Sequence, residues 1–221
     1  MTEFAGNRSK FVTEPYREQV ALWPESGRHV CAQFDDETII VYQAYRTAIG
    51  RFAAENGRFG GEFSYSRMSW IKPNFLWMMF RSGWGTKEGQ EVTLALRLRR
   101  TFFDSLLLHA VPSSWTPDSG LEQEEWSRAV AASDVRLQWD PDHGPRGEKL
   151  ERRAIQLGLR GQTLEEFGGR ELLEVTDISA FVEAQRRVLE TTGVPNLTTP
   201  RERVYRPAIA EAAARLGLDD G

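Results

Sequence analysis

The cations Arg67, Lys72, Arg81 and Lys87 punctuate an apolar stretch in which Trp70, Trp77 and Trp84 recur every seven residues. Two readings fit that pattern. In one, the stretch is a core helix whose long cationic side chains run along apolar surface and end in water. In the other, it lines a cleft where indole faces stack a base while guanidinium and ammonium groups grip phosphate. A nucleotide needs both features, whereas a metal ion or a plain apolar partner needs neither. On that reading the binding residues are Arg67, Trp70, Lys72, Trp77, Arg81 and Trp84. A second basic run holds Arg146, Lys149, Arg152, Arg153 and Arg160. On a helix, Lys149, Arg152 and Arg153 would share one face. That face is either solvated and balanced by Glu148 and Glu151, or a phosphate-binding rim beside the cleft.

Other constellations offer less. Asp140-Pro-Asp-His143 brings two carboxylates and an imidazole close together, a set that could hold a divalent metal in a phosphoesterase. The same residues make an ordinary turn, with Asp140 accepting backbone N–H bonds, Pro141 presetting φ and Gly144 taking a positive φ. The turn is the preferred reading, and no metal site is expected. Cys31 has no nearby His or Cys, so a catalytic thiol is not expected. His29 and His109 have no evident partners. The sequence carries no glycine-rich phosphate loop and no His-Glu-x-x-His.

Longer motifs carry a resemblance. They are Val41-Tyr-Gln-Ala-Tyr45, Arg67-Met-Ser-Trp-Ile-Lys-Pro-Asn-Phe-Leu-Trp-Met-Met-Phe-Arg-Ser-Gly-Trp84, Trp139-Asp-Pro-Asp-His143 and Arg153-Ala-Ile-Gln-Leu-Gly-Leu-Arg-Gly161. Together they resemble the domain-of-unknown-function family numbered 4291, over roughly residues 28 to 190. That likeness implies no settled activity. A second, shorter resemblance is to the ADP-ribosyltransferases. One branch of that superfamily carries an Arg on a first strand that holds a phosphate or ribose of NAD. A Ser-x-Ser follows an aromatic on a second strand, and a Glu just before a third strand polarises the nicotinamide ribose. This chain has Arg46 just after its first strand, Phe63-Ser-Tyr-Ser66 in an extended segment, and Glu88-Gly-Gln-Glu91 leading into another strand. The order matches. Arg46 lies past its strand, however, the acidic motif is Glu-x-x-Glu rather than Glu-x-Glu, and the last two motifs lie close together. The resemblance implies that Arg46 and Ser64 bind NAD, that Ser66 shapes the site, and that Glu91 is the catalytic carboxylate.

These residues need elements to position them. Thr38–Tyr42, β-branched and aromatic after an acidic turn, predicts a strand. Residues 47–56 place Ile49, Phe52 and Ala53 at helical spacing, and Gly57 can cap the helix. Phe63 to Trp70 reads as extended. Pro73 to Phe80 reads as a short buried helix with Pro73 at its first position. Val92–Leu98 alternates as a strand, and 101–109 reads as a helix. Ser113–Gly120 reads as a loop. Val135–Trp139 reads as a strand ended by the turn Asp140–Arg146. Helices are expected at 148–158 and at 178–191, where Asp177 is the N-cap, and they flank a strand at 172–175. A terminal helix is expected at 207–216.

Composition sets the frame. At 221 residues, with 40% hydrophobic and 27% charged, the chain suits one globular domain over residues 15–221 behind a polar tail, 1–14. The expected class is α+β, a mixed or antiparallel sheet with packed helices, of ADP-ribosyltransferase-like form if the second resemblance holds. A net charge of −4 argues against a surface that coats nucleic acid throughout. The single cysteine, the polar N-terminus and the absence of a long apolar run point to the cytoplasm, with no membrane partner. The leading expectation is an NAD-binding enzyme that transfers ADP-ribose to a nucleotide or nucleic acid. The alternative is a non-catalytic module that binds RNA or a nucleotide.

Overall fold

The structure, a computed structural model, describes residues 11–117 and 122–219. Its first half runs β1 (Thr13–Pro15), α1 (Tyr16–Val20), β2 (Gly27–Arg28), β3 (Val30–Ala32), β4 (Thr38–Tyr45), α2 (Thr47–Asn56), β5 (Ser69–Ile71), α3 (Phe75–Ser82), β6 (Val92–Arg99) and α4 (Arg100–His109). It continues with β7 (Val111–Pro112), α5 (Gln123–Ala132), β8 (Val135–His143), β9 (Lys149–Leu159), α6 (Gly161–Gly168), β10 (Leu172–Asp177), α7 (Ser179–Thr191), β11 (Thr198–Pro200), β12 (Arg203–Tyr205) and α8 (Ala210–Leu216). Helices and strands alternate irregularly, and the class is α+β.

Two sheets meet where the motifs lie. One has the antiparallel order β10-β6-β4, with Tyr45 paired to Val92 at one end. The other has the order β2-β9-β8-β7, with β5 also paired to β9, and mixes parallel and antiparallel neighbours. Tyr42 and Lys72 exchange backbone hydrogen bonds of 2.7 and 3.2 Å and stitch β4 to the residue after β5. The side-chain period of a strand is two, so the faces of β4 diverge. Ile39 and Val41 enter one apolar cluster with Leu94, Leu96 and Phe103, while Ile40 and Tyr42 enter another with Phe75, Met79 and Val182. Both faces of β4 are therefore covered, which is why Thr38–Tyr42 reads as an unbroken apolar run.

Helix α3 is fixed at both ends. Asn74 Oδ1 accepts the Trp77 N–H at 2.7 Å, so Asn74 is the N-cap and the expected first-position Pro73 lies one residue before it. At the other end Gly83, Trp84 and Gly85 all take positive φ, at 59°, 55° and 73°. For Trp84 that backbone costs roughly 1–2 kcal/mol, and two contacts hold it: its Nε1 donates to the Pro145 carbonyl at 3.1 Å, and its ring meets Phe75 edge-on at 5.9 Å. Trp84 thus anchors the loop that leads to Glu91.

Beneath α3 lies Glu202, 1% exposed, which accepts from the Phe75 N–H at 2.6 Å and from Asn74 Nδ2 at 3.4 Å. Burial pushes the Glu202 carboxyl well above its usual range, although the Phe75 N–H opposes the shift. Folded, it keeps its proton; unfolded, it ionises at an ordinary carboxylate pH. Its contribution to stability is therefore complete at acid pH and is lost as pH rises toward its folded value, at up to about 1.4 kcal/mol per pH unit. Glu202→Gln, whose amide oxygen can still accept from Phe75, is expected to match the wild type near pH 4 and exceed it near pH 7. Urea denaturation across that range checks this, and curves that stay parallel would refute it.

Several sequence expectations are corrected. The helix expected at 148–158 is β9, a strand in which Ile155, Leu157 and Leu159 alternate into the core. Lys149, Arg152 and Arg153 therefore share no helix face. Strand β8 does not stop at Trp139 but continues through Asp140 to His143, and the turn falls at Gly144–Gly147, where the Gly147 N–H bonds the Gly144 carbonyl. Phe63 to Met68 is not extended but turned, because its rings pack locally, Phe59 on Phe63 at 4.5 Å and Phe63 on Tyr65 at 4.9 Å. Of the expected tail, residues 1–10 lie outside the described residues, while Thr13–Pro15 pairs with β11 and Phe11 packs on Phe181. The expected loop Ser113–Gly120 is described only to residue 117.

Candidate functional site

Two adjoining cavities form one groove across the ends of β4 and β5. The first, about 420 Å³, is lined by Arg46, Glu62, Phe63, Ser64, Arg67 and Gly89. The second, about 470 Å³, is lined by Gln43, Trp70, Lys72, Arg81, Gln138 and Gln156. Tyr45, Met68 and Ser69 line both and join them. Each volume lies in the range of small-molecule sites. A separate cavity of about 340 Å³ between α4, α5 and α6 has Asp134 and Glu166 as its acidic lining and no lysine or arginine. It is the wrong sign for an anion.

In the first cavity the strand register does the positioning. Tyr45 pairs with Val92, so one step further Arg46 and Glu91 stand at facing ends of β4 and β6. Arg46 is exposed and pairs with Glu62 at 2.6 Å. Ser64 and Ser66 share a hydrogen bond of 2.9 Å. Glu91 Oε1 accepts from the Gly89 N–H at 2.7 Å, and Gly89 itself lines the cavity. Arg46, Ser64 and Arg67 thus line one end of the groove, while Ser66 and Glu91 are not among its lining residues and touch it only through their hydrogen bonds to Ser64 and Gly89.

The second cavity holds an unusual amine. Lys72 is 5% exposed, and among the described residues its ammonium has no carboxylate within ion-pair distance. Burial, then the nearby Arg81, pushes it down to about 8, while Asp140 opposes the shift. Its Nζ sits 5.7 Å from the centroid of the Trp77 ring, whose face favours the charged form. Arg81, exposed at the end of α3, likewise has no ion pair among the described residues. The floor is polar but neutral. Gln43 Nε2 donates to Ser69 Oγ at 2.7 Å and to the Trp70 carbonyl at 3.1 Å, leaving its buried Oε1 without a partner. Gln138 and Gln156, paired across β8 and β9, donate to the two Asp140 oxygens at 2.9 and 2.7 Å.

The remaining expected site residues lie elsewhere. Trp77 is 6% exposed and sits behind Lys72 rather than on the groove, so it positions the amine and has no free face for a base. Trp84 holds its loop, as described above. The seven-residue recurrence of tryptophan therefore puts one indole, Trp70, on the groove. Asp140 and Asp142 also diverge: Asp140 is taken by glutamines, and Asp142 pairs with Arg152 at 2.6 Å in the interior. The His143 ring stacks on Phe80 at 3.6 Å, while its backbone N–H donates to Asp142. Sequence reasoning missed Gln43, Gln138, Gln156 and Tyr45. The available signal was a glutamine flanked by apolar residues within a strand, which occurs in β4 (Tyr42-Gln-Ala44), β8 (Leu137-Gln-Trp139) and β9 (Ile155-Gln-Leu157).

The family described as a domain of unknown function, DUF4291, matches residues 29–205. No curated protein matches the chain.

Proposed function

The chain belongs to the DUF4291 family, and from that premise and the geometry of the groove we propose that it is an NAD-binding ADP-ribosyltransferase-like enzyme. The observation that supports the reading is the register of β4 and β6: Tyr45 pairs with Val92, so Arg46 and Glu91 follow at adjacent strand ends, and Arg46 and Ser64 line the same cavity. NAD is the substrate whose glycosidic bond to nicotinamide breaks, the bonding pair leaving with the pyridinium nitrogen. Positive charge then builds on the ribose, and Glu91 is the carboxylate assigned to stabilise it. Arg46, released from the exposed Glu62, and Arg67 supply the charge that holds the dinucleotide phosphates. Ser64 and Ser66 offer hydroxyls to the ribose. The acceptor oxygen or nitrogen adds to the same carbon and gives up its proton.

Purified protein supplied with NAD should release nicotinamide, slowly when water is the acceptor. Arg46→Ala should raise KM for NAD about tenfold, the scale of one charge-assisted phosphate contact. Tight NAD binding without any nicotinamide release would sink the transferase reading. A second reading, a non-catalytic nucleotide- or RNA-binding module, draws support from Trp70 beside Lys72 and Arg81, which form no ion pair among the described residues. Its mark would be single-strand affinity that falls with salt, at about 0.7 in log–log slope per phosphate neutralised.

A further inference from the structure

The half of the groove that holds Lys72 is not used by the chemistry above. It carries two cations, Lys72 and Arg81, close enough for one to disfavour the other's charge. A buried ammonium without a carboxylate partner is costly, and a ligand that brings an anion to it offsets that cost. Asp140 supports the charge only from a distance, since it is not within ion-pair reach and its two oxygens accept from glutamine amides. The lining adds Trp70 for an aromatic face, and Gln43 Oε1 as a buried acceptor that lacks a donor. A ligand suited to all of these has an anionic head, a flat ring and an N–H or O–H to give. We infer that the Lys72–Arg81 cavity is a phosphate subsite for the acceptor, which makes the acceptor a nucleotide-class phosphate ester.

The acceptor role rests on the transferase reading; the phosphate subsite does not. Tyr45, Met68 and Ser69 line both halves, so a molecule seated on Lys72 and Arg81 adjoins the end lined by Arg46, Ser64 and Arg67. The groups that face Lys72 are Arg81 from α3 and Asp140 from β8, with Tyr45 from β4 on the same cavity. Burial raises the Tyr45 hydroxyl far above the range in which Lys72 titrates, so it stays neutral there. A bound phosphate needs the ammonium. AMP affinity should therefore be greatest between about pH 6, below which the phosphate itself takes up a proton, and about pH 8, and should fall as pH rises beyond it, up to tenfold per unit.

Calorimetric titration of the whole chain with inorganic phosphate, AMP and a short 5′-phosphorylated oligonucleotide tests this. Saturable AMP binding is expected, weakened at least about tenfold in Lys72→Met and several-fold in Arg81→Gln. The Lys72→Met variant should also lose the fall above about pH 8, and Lys72→Arg should restore binding in part. Methionine keeps the length and the contact with Trp77, and circular dichroism of each variant verifies folding. The oligonucleotide arm separates a nucleic-acid end from a free nucleotide as the source of the phosphate. Absence of saturable phosphate or AMP binding overturns the subsite whatever NAD does. AMP that competes with NAD, instead of binding alongside it, overturns the acceptor assignment. Failure of nicotinamide release with intact AMP binding removes the transferase reading and leaves the subsite standing.

Discussion

Asp142→Ala is expected to cost about 3–5 kcal/mol of folding stability, the scale of leaving a buried charge without its partner. Asp142 and Arg152 are 1% and 3% exposed. The guanidinium donates from Nε at 2.8 Å and from a terminal nitrogen at 2.6 Å to one carboxylate oxygen, while its other terminal nitrogen reaches the Pro24 carbonyl at 2.7 Å. The second Asp142 oxygen accepts the His143 N–H at 2.7 Å. Each guanidinium nitrogen and each carboxylate oxygen has a partner, and the Trp23 ring closes the site 5.1 Å from the guanidinium. Removing Asp142 strands a cation that water cannot reach. The double change Asp142→Leu with Arg152→Met removes both charges and should recover most of the loss. Urea denaturation of the single and double variants decides it. A single variant within 1 kcal/mol of wild type (roughly the value of an exposed pair) would show that the charge is not sealed. The same pairing explains why Asp142 does not join Asp140: the two carboxylates belong to different interiors.

How far the sequence reached depends on what each signal measures. Helix α2 was legible to the residue because Ile49, Phe52 and Ala53 repeat at helical spacing and Gly57, at φ 65°, stops the helix. Strands β4 and β6 were legible because β-branched and leucine-rich runs suit strands covered on both faces. The strand β9 was not, for a physical reason. Its first half, Lys149 to Arg153, is charged at spacings of three and four, which imitates a salt-bridged helix, while Arg152 is charged because it is buried against Asp142. Only the second half, Ile155, Leu157 and Leu159, shows the period of two. Of the Arg–Ser–Glu order, the register adds that 46 and 91 follow at adjacent ends of β4 and β6, and only Arg46 and Ser64 line the groove. The lysine cavity was half legible. Lys72, Arg81 and Trp70 were named, but burial decides which tryptophan faces the groove, and burial is a tertiary property.

The largest functional effect is expected of Glu91→Gln, a fall in kcat for NAD of about a hundredfold to a thousandfold, as when one group that stabilises charge in the transition state is lost. The substitution is chosen because it changes charge and little else. Glu91 Oε1 accepts the Gly89 N–H at 2.7 Å, and a glutamine oxygen can accept the same bond, so the loop between Gly83 and Val92 keeps its course. Trp84, tied to Pro145 and Phe75, holds the other end of that loop independently. The positive charge that builds on the ribose appears only as the glycosidic bond breaks, so ground-state binding should scarcely change. KM for NAD should stay near the wild-type value while kcat falls, whereas Arg46→Ala should do the reverse. Glu62→Gln provides the control: it frees Arg46 from its 2.6 Å partner and should leave kcat near wild type while favouring NAD binding. Steady-state nicotinamide release from the three variants separates these outcomes. Turnover in Glu91→Gln equal to wild type would take Glu91 out of the chemistry. A matched rise in KM instead would make it a binding group, and the carboxylate that meets the developing charge would have to lie elsewhere in the groove.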